Sequence, residues 1–122
     1  MNTDDKVIKI ITTLVRKTSN GEVKWSVSNP PKNLVSATDD EIHFYLETIY
    51  KGNRFALYDR KSKYFYDEHD FSWISSQIFA ILDINKNVIL EYHGKTPVLQ
   101  DLFSTARGQI ADLDGILNDL MN

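Results

Sequence analysis

TPVLQDLFSTARGQIADLDGILNDLMN, residues 96–122, is the stretch that decides the fold. Phe103, Ala106, Ile110, Leu113, Leu117 and Leu120 fall at alternating three- and four-residue steps, the spacing of a helix with a coiled-coil seam. Thr96 suits an N-cap and Pro97 the first turn. The spacing predicts one long helix over residues 97–121, about 37 Å long at about 1.5 Å per residue. A strand of about five to eight residues spans only about 17–27 Å, so such a helix overhangs its own sheet and its seam needs a second chain. Ser104, Gly108, Ala111 and Gly115 form a stripe of small residues along the back. A helix apolar on one face and smooth on the other can pack on a sheet and on a partner subunit at once. A homo-oligomer, dimer or higher, is therefore expected.

Working back from that helix, the remaining elements follow one another without linker or repeat. Val7, Ile8, Ile11, Leu14 and Val15 form one stripe and predict a helix over residues 3–17, with Asp4 and Asp5 at its start and Arg16 and Lys17 at its end. Thr18-Ser19-Asn20-Gly21 reads as a helix stop and turn. Residues 22–28 alternate, with Val23, Trp25 and Val27 inward and Lys24 and Ser26 outward. Asn29-Pro30-Pro31-Lys32 breaks that strand, and residues 34–37 predict a short second one. In residues 41–50, Ile42, Phe44 and Leu46 alternate with His43, Tyr45 and Glu47. Lys51-Gly52-Asn53 turns the chain into residues 54–59, where Phe55 and Leu57 point inward. Residues 78–84 and 88–92 form a last hairpin around Asn85-Lys86-Asn87. The expectation is a single α+β domain over residues 1–122: an N-terminal helix, an antiparallel sheet of five or six strands across 22–93, and a long C-terminal helix.

Composition narrows the class. With 42% hydrophobic and 25% charged residues the chain is ordinary for a soluble globular protein. No apolar run approaches the length of a membrane span, and Asp4 and Asp5 sit where a secretory leader carries positive charge, so no membrane contact and a cytoplasmic location are expected. The absence of cysteine excludes disulfides, thiolate metal sites and a thiol nucleophile. A net charge of −3 argues against a nucleic-acid polymer as partner. The charge is uneven, however. Lys51, Arg54, Arg60, Lys61 and Lys63 face a single acid, Asp59, whereas Asp101, Asp112, Asp114 and Asp119 face Arg107 alone. A local basic stretch on an acidic protein suits a small anion, or is simply a solvated loop.

Residues 60–75 do not follow the regular meander. Tyr64, Phe65, Tyr66, Phe71 and Trp73 stand among Lys61, Lys63, Asp67, Glu68, His69 and Asp70. A connection of this length is long for a compact domain and points to function, with a strand extension at residues 64–66 as one possible form. Aromatics beside cations can stack on a base or on a partner's side chains, or can cap the end of a small core.

Leu14-Val15-Arg16-Lys17-Thr18-Ser19-Asn20-Gly21-Glu22-Val23-Lys24-Trp25 resembles the opening of a group of short bacterial and phage proteins, written leucine-x-x-lysine-threonine-x-x-glycine-x-x-x-tryptophan. Leu102-Phe103-Ser104-Thr105-Ala106-Arg107 is similar to the leucine-aromatic-x-x-alanine-arginine start of their closing helix. The resemblance spans most of the chain except residues 60–75, and it implies the fold rather than an activity. In size, order of elements and expected dimerisation the chain also resembles the phage proteins that defeat Thoeris defence. Those act as sponges, sequestering cyclic ADP-ribose-type signals without cleaving them. That resemblance implies a non-enzymatic, dimeric binder of a small phosphate-bearing nucleotide, and it places Arg54, Phe79 and Arg107 at the ligand.

The residues themselves offer a chemical basis. A cyclic nucleotide needs planar cations for its phosphates and an aromatic face for its base. In the heptad reading Phe103 takes an a position and Arg107 an e position, beside the seam and near a subunit boundary. Phe79 lies on the opposite face from Ile78, Ala80 and Leu82, and Tyr45 and Tyr58 occupy outward-alternating positions from which they could line the same face. The alternatives are surface salt bridges for the arginines and core packing for Phe79. Catalysis has weaker support. There is no phosphate-binding glycine loop and no nucleophile elbow. The pairs His43/Glu47 and Glu91/His93 share strand faces, and Asp67, Glu68, His69 and Asp70 are neighbours in one loop; solvated charge accounts for all of them. No enzyme, cofactor or metal is expected. The other reading is a protein–protein or immunity-type adaptor that uses the aromatic loop over residues 64–73.

Overall fold

The computed structural model describes residues 2–35 and 40–122. The elements are α1 (Thr3–Ser19), β1 (Ser26–Val27), α2 (Lys32–Val35), β2 (Glu41–Tyr50), β3 (Asn53–Phe65), β4 (Phe71–Leu82), β5 (Val88–Tyr92), α3 (Pro97–Ile110) and α4 (Leu113–Met121). The class is α+β, with a five-stranded sheet in the order β1-β2-β3-β4-β5. The β2–β3, β3–β4 and β4–β5 pairs are antiparallel. No helix among the described residues is long and apolar enough to cross a membrane. The described chain forms two compact units, residues 2–26 with 95–122, and residues 27–35 with 40–94.

In the helical unit, Asn2 caps α1 by accepting the Asp5 N–H at 2.8 Å. α1 packs against α3, and the buried stripes are Val7, Ile11 and Leu14 on one helix and Leu99, Leu102, Phe103 and Ala106 on the other. Gly21, at φ +82°, turns the chain out of α1. The residues after it, expected as a strand, are held instead by one side chain of α3. The Gln109 Nε2 donates to the Val23 carbonyl at 2.7 Å, and its Oε1 accepts the Trp25 N–H at 2.7 Å. The Trp25 indole N–H donates to the Thr18 hydroxyl at 3.0 Å. Val23 and Trp25 are buried, but Val27 is 72% exposed, and the strand itself is only two residues long.

The long C-terminal helix divides in two. At its start, Thr96 stands at the N-cap without a capping bond from its side chain, and Pro97 takes the first turn. After Ile110 the chain turns, with the Ala111 N–H bonded to the Arg107 carbonyl and the Asp112 N–H to the Gln109 carbonyl. Asp112, at φ +50°, then starts α4. Three poor helix formers, Gly108, Asp112 and Gly115, cluster there, and they outweigh an apolar repeat that runs on without interruption. The seam is covered at Phe103 and Ala106 and open along α4, where Leu113, Ile116, Leu117, Leu120 and Met121 are exposed and no residue is buried.

In the sheet unit, the expected strand over residues 34–37 is replaced as far as Val35 by the single turn of α2; Ser36 and Ala37 lie outside the described residues. β2 carries a bulge between His43 and Leu46, with Phe44 at φ +52°. An aromatic residue in the left-handed region is strained. The bulge resets the alternation, and both faces are covered beyond it, where four consecutive residues, Tyr45 to Thr48, are buried. Ile42 then joins Tyr45 in a cluster with Ala56, Tyr58, Ile78, Ala80 and Leu82, beneath Leu34 and Val88. The other face carries Leu46, Phe55, Leu57 and Phe79, all buried.

Candidate functional site

The register of the central strands determines what each candidate residue can reach. Phe79 is opposite Leu57, and Tyr58 is opposite Ile78. Directly opposed residues share a face, so Phe79 lies on one side of the sheet and Tyr58, with Tyr45, on the other. The shared face expected for these three aromatics is thus divided, because the β2 bulge and the β3–β4 register allot them separately. Phe79 is fully buried and stacked on Phe55 with ring centroids 5.7 Å apart. Tyr45 and Tyr58 stack on each other, also at 5.7 Å. Burial, reinforced by the carboxylates of Glu47 beside Tyr45 and Glu91 beside Tyr58, pushes both phenols above their usual pKa.

Arg54 lies on the tyrosine face, where its Nη1 donates to the buried Glu47 carboxylate at 2.8 Å and Lys86 reaches the other oxygen at 3.3 Å. Burial raises the Glu47 pKa, but the bonds from Arg54 and Lys86 outweigh it and hold the carboxyl below its ordinary value. A depressed carboxyl pKa contributes stability that is present above the unfolded value of about 4.3 and lost as pH falls through the folded value. Glu47→Gln is expected to cost about 2 kcal/mol at neutral pH. The gap from wild type should narrow progressively as pH falls below about 4.3 in urea unfolding series.

Arg60, which the sequence places only in the basic stretch, makes a two-pronged pair with Glu91 at 2.7 and 2.9 Å. The pair walls a cavity of about 440 Å³ with Asn33, Asn87, Leu34 and Val88. Arg107 belongs to the helical unit, where it is exposed and its guanidinium sits over the Phe103 ring at 5.8 Å. Of the acid–base pairs, His43 contacts Glu41 at 2.9 Å, while Glu47 and Glu91 are engaged by cations.

The most exposed chemistry lies in residues 60–75, which extend β3 and β4 into a two-stranded arm. β2 accompanies β3 as far as Lys61, and β5 joins β4 at Phe79. Beyond Lys61, among the described residues, the ladder runs only between Ser62 and Ile74, Lys63 and Trp73, Tyr64 and Ser72, and Phe65 and Phe71. One arm face carries Phe65, Phe71 and Trp73 in edge and tilted contacts at 5.6 and 5.8 Å. The Lys63 ammonium lies 4.8 Å from the Phe71 ring centre and 5.5 Å from that of Trp73. Tyr64 and Ile74 occupy the opposite face, and Tyr66 closes the tip by donating its N–H to the Asp70 carbonyl. All six of these aromatic and aliphatic side chains are between 39% and 65% exposed. The strand-extension form of this segment could be read from its aromatic run; the extent of the arm could not.

No family model, curated protein or solved structure matches the chain.

Proposed function

We propose that this chain is a non-catalytic interaction module that docks its aromatic arm on another polypeptide. The observation that carries the reading is the exposure of Tyr64, Phe65, Tyr66, Phe71, Trp73 and Ile74 on a hairpin flanked by no further strand among the described residues. A two-stranded ribbon is marginal in water on its own, and the touching rings of Phe65, Phe71 and Trp73 on one of its faces form an exposed apolar cluster of the kind found at interaction sites. Aromatics rigid at two torsions, with a cation lying over them, are the side chains that dominate binding energy at protein interfaces. Phe65→Thr with Trp73→Thr removes the aromatic face and keeps strand propensity. That variant should keep its unfolding midpoint within about 2 °C of wild type, in keeping with exposed positions, and lose binding to its partner by at least about tenfold. Undiminished binding would refute the reading.

A second reading is favoured by Arg107. It keeps the dimeric sponge for a phosphate-bearing nucleotide, and the supporting observation is an exposed guanidinium over an aromatic ring, next to Gly108, on which Leu113 of the open α4 face packs. A second chain covering α4 would bring its own groups to that cation. Nucleotide-dependent thermal stabilisation that Arg107→Ala removes would support this reading.

A further inference from the structure

We infer that the arm binds a second copy of this chain by strand addition, the free edge of β4 pairing antiparallel with the same edge of the copy about Trp73. The inference rests on the arm being an interaction surface and names its partner, and it lies wholly within the sheet unit. β5 accompanies β4 only from Phe79 onward, so among the described residues 71–78 have β3 on one side and no strand on the other. Phe71, Trp73 and Ile74 are exposed there. At the tip the Tyr66 N–H bonds the Asp70 carbonyl, and the register runs on unshifted through Phe65/Phe71, Tyr64/Ser72, Lys63/Trp73 and Ser62/Ile74 to Lys61/Ser75. Bonded and non-bonded pairs alternate along an antiparallel ladder. Tyr64/Ser72 and Ser62/Ile74 are therefore the bonded pairs, and Phe71, Trp73 and Ser75 direct their N–H and C=O groups away from β3.

Sheets guard free edges with charge, proline, bulges or short strands. β3 carries Lys61 and Lys63 where it outruns β2; β5 carries Glu91 and pairs through a register shift; β1 is two residues long. The edge of β4 has none of these guards: residues 71–78 contain no charge, proline or glycine. Such an edge meets its own copy without repulsion. A twofold axis perpendicular to the sheet keeps each face on its own side, so directly opposed residues must share a face. With the axis at Trp73, the outward groups of Phe71, Trp73 and Ser75 meet those of Ser75, Trp73 and Phe71 of the copy, as bonded pairs require. Trp73 then lies against its counterpart and diagonally beside Phe71 of the copy, which continues the aromatic cluster across the seam. The tip acids Asp67, Glu68 and Asp70 fall beyond the paired stretch, Asp70 opposite the uncharged Ser76 of the copy.

The test is the solution mass of the full chain by light scattering over a dilution series, followed by disulfide mapping of the register. Wild type should run at twice the 14.1 kDa chain mass. Trp73→Glu keeps a partner for Lys63 within the arm but sets carboxylate against carboxylate on the axis. It should run at the single-chain mass with an unfolding midpoint within about 2 °C of wild type. The chain has no cysteine, so Ser72→Cys and Ile74→Cys report without background. The axis at Trp73 opposes position 72 to position 74 of the copy as a non-bonded pair, with Cα atoms about 4.5 Å apart. An oxidised mixture of the two variants should give a disulfide-linked heterodimer, and neither variant alone should crosslink efficiently. A wild-type monomer would overturn the second copy as partner and leave docking on a different polypeptide, which Phe65→Thr with Trp73→Thr tests separately. A wild-type dimer that survives Trp73→Glu, or whose mixed cysteine variants fail to crosslink, would overturn pairing at this edge.

Discussion

Replacing Gln109 with leucine is expected to lower the unfolding free energy by about 2–4 kcal/mol, a large effect for one partly buried polar side chain. The amide of Gln109 serves the Val23 carbonyl and the Trp25 N–H, each at 2.7 Å, and reaches the Thr18 carbonyl at 3.5 Å. Leucine matches the helix propensity and approximate volume of glutamine but satisfies neither group. Each orphaned backbone group costs about 1–3 kcal/mol when kept from water. Urea unfolding should show a lower midpoint with an unchanged slope, the sign of a loss in the native state alone. Gln109→Glu should fall between, since it keeps an acceptor for Trp25 and sets an oxygen against the Val23 carbonyl. A change under about 0.5 kcal/mol for the leucine variant would mean that water already serves those groups.

Phe79→Ala is the second large effect, at about 3–5 kcal/mol. Phe79 has no exposed surface and stacks on Phe55 in the middle of the sheet, so truncation removes apolar burial and leaves a cavity. Phe79→Leu should recover more than half of the loss. The measurement is again equilibrium unfolding, and it bears on the nucleotide reading. If Phe79 holds a base, the leucine variant should lose ligand-induced stabilisation; if the ring only packs, stability alone should change.

The residues that could be read locally are those whose environment depends on near neighbours. The stripe of α1, the turn at Lys51 and Gly52, and the hairpin between β4 and β5 follow from periodicity and turn chemistry, and the sequence of helix, sheet and helix follows from them. The break at Asp112 was signalled by Gly108, Asp112 and Gly115, but the apolar steps from Phe103 to Leu120 cross it in phase, so periodicity alone could not detect it. Nothing in the sequence marks Phe44 for a left-handed backbone, and that one residue moves Tyr45 to the face of Ile42. The candidate site was less legible for a related reason. Whether an arginine is engaged depends on what lies across the sheet: Arg54 meets Glu47 seven positions away, and Arg60 meets Glu91 thirty-one positions away. Those meetings are set by register, which no local pattern records. The aromatic run of residues 64–73 was visible as an anomaly, and its exposure followed from the two strands running past their neighbours.

The most direct measurement is photocrosslinking in cells from a benzophenone side chain carried in place of Tyr66, with the same group in place of Lys9 on the exposed side of α1 as control. The docking arm predicts a discrete polypeptide adduct from position 66 and none from position 9, with peptide mapping identifying the surface gripped. No adduct at position 66, or equal adducts from both positions, would contradict it.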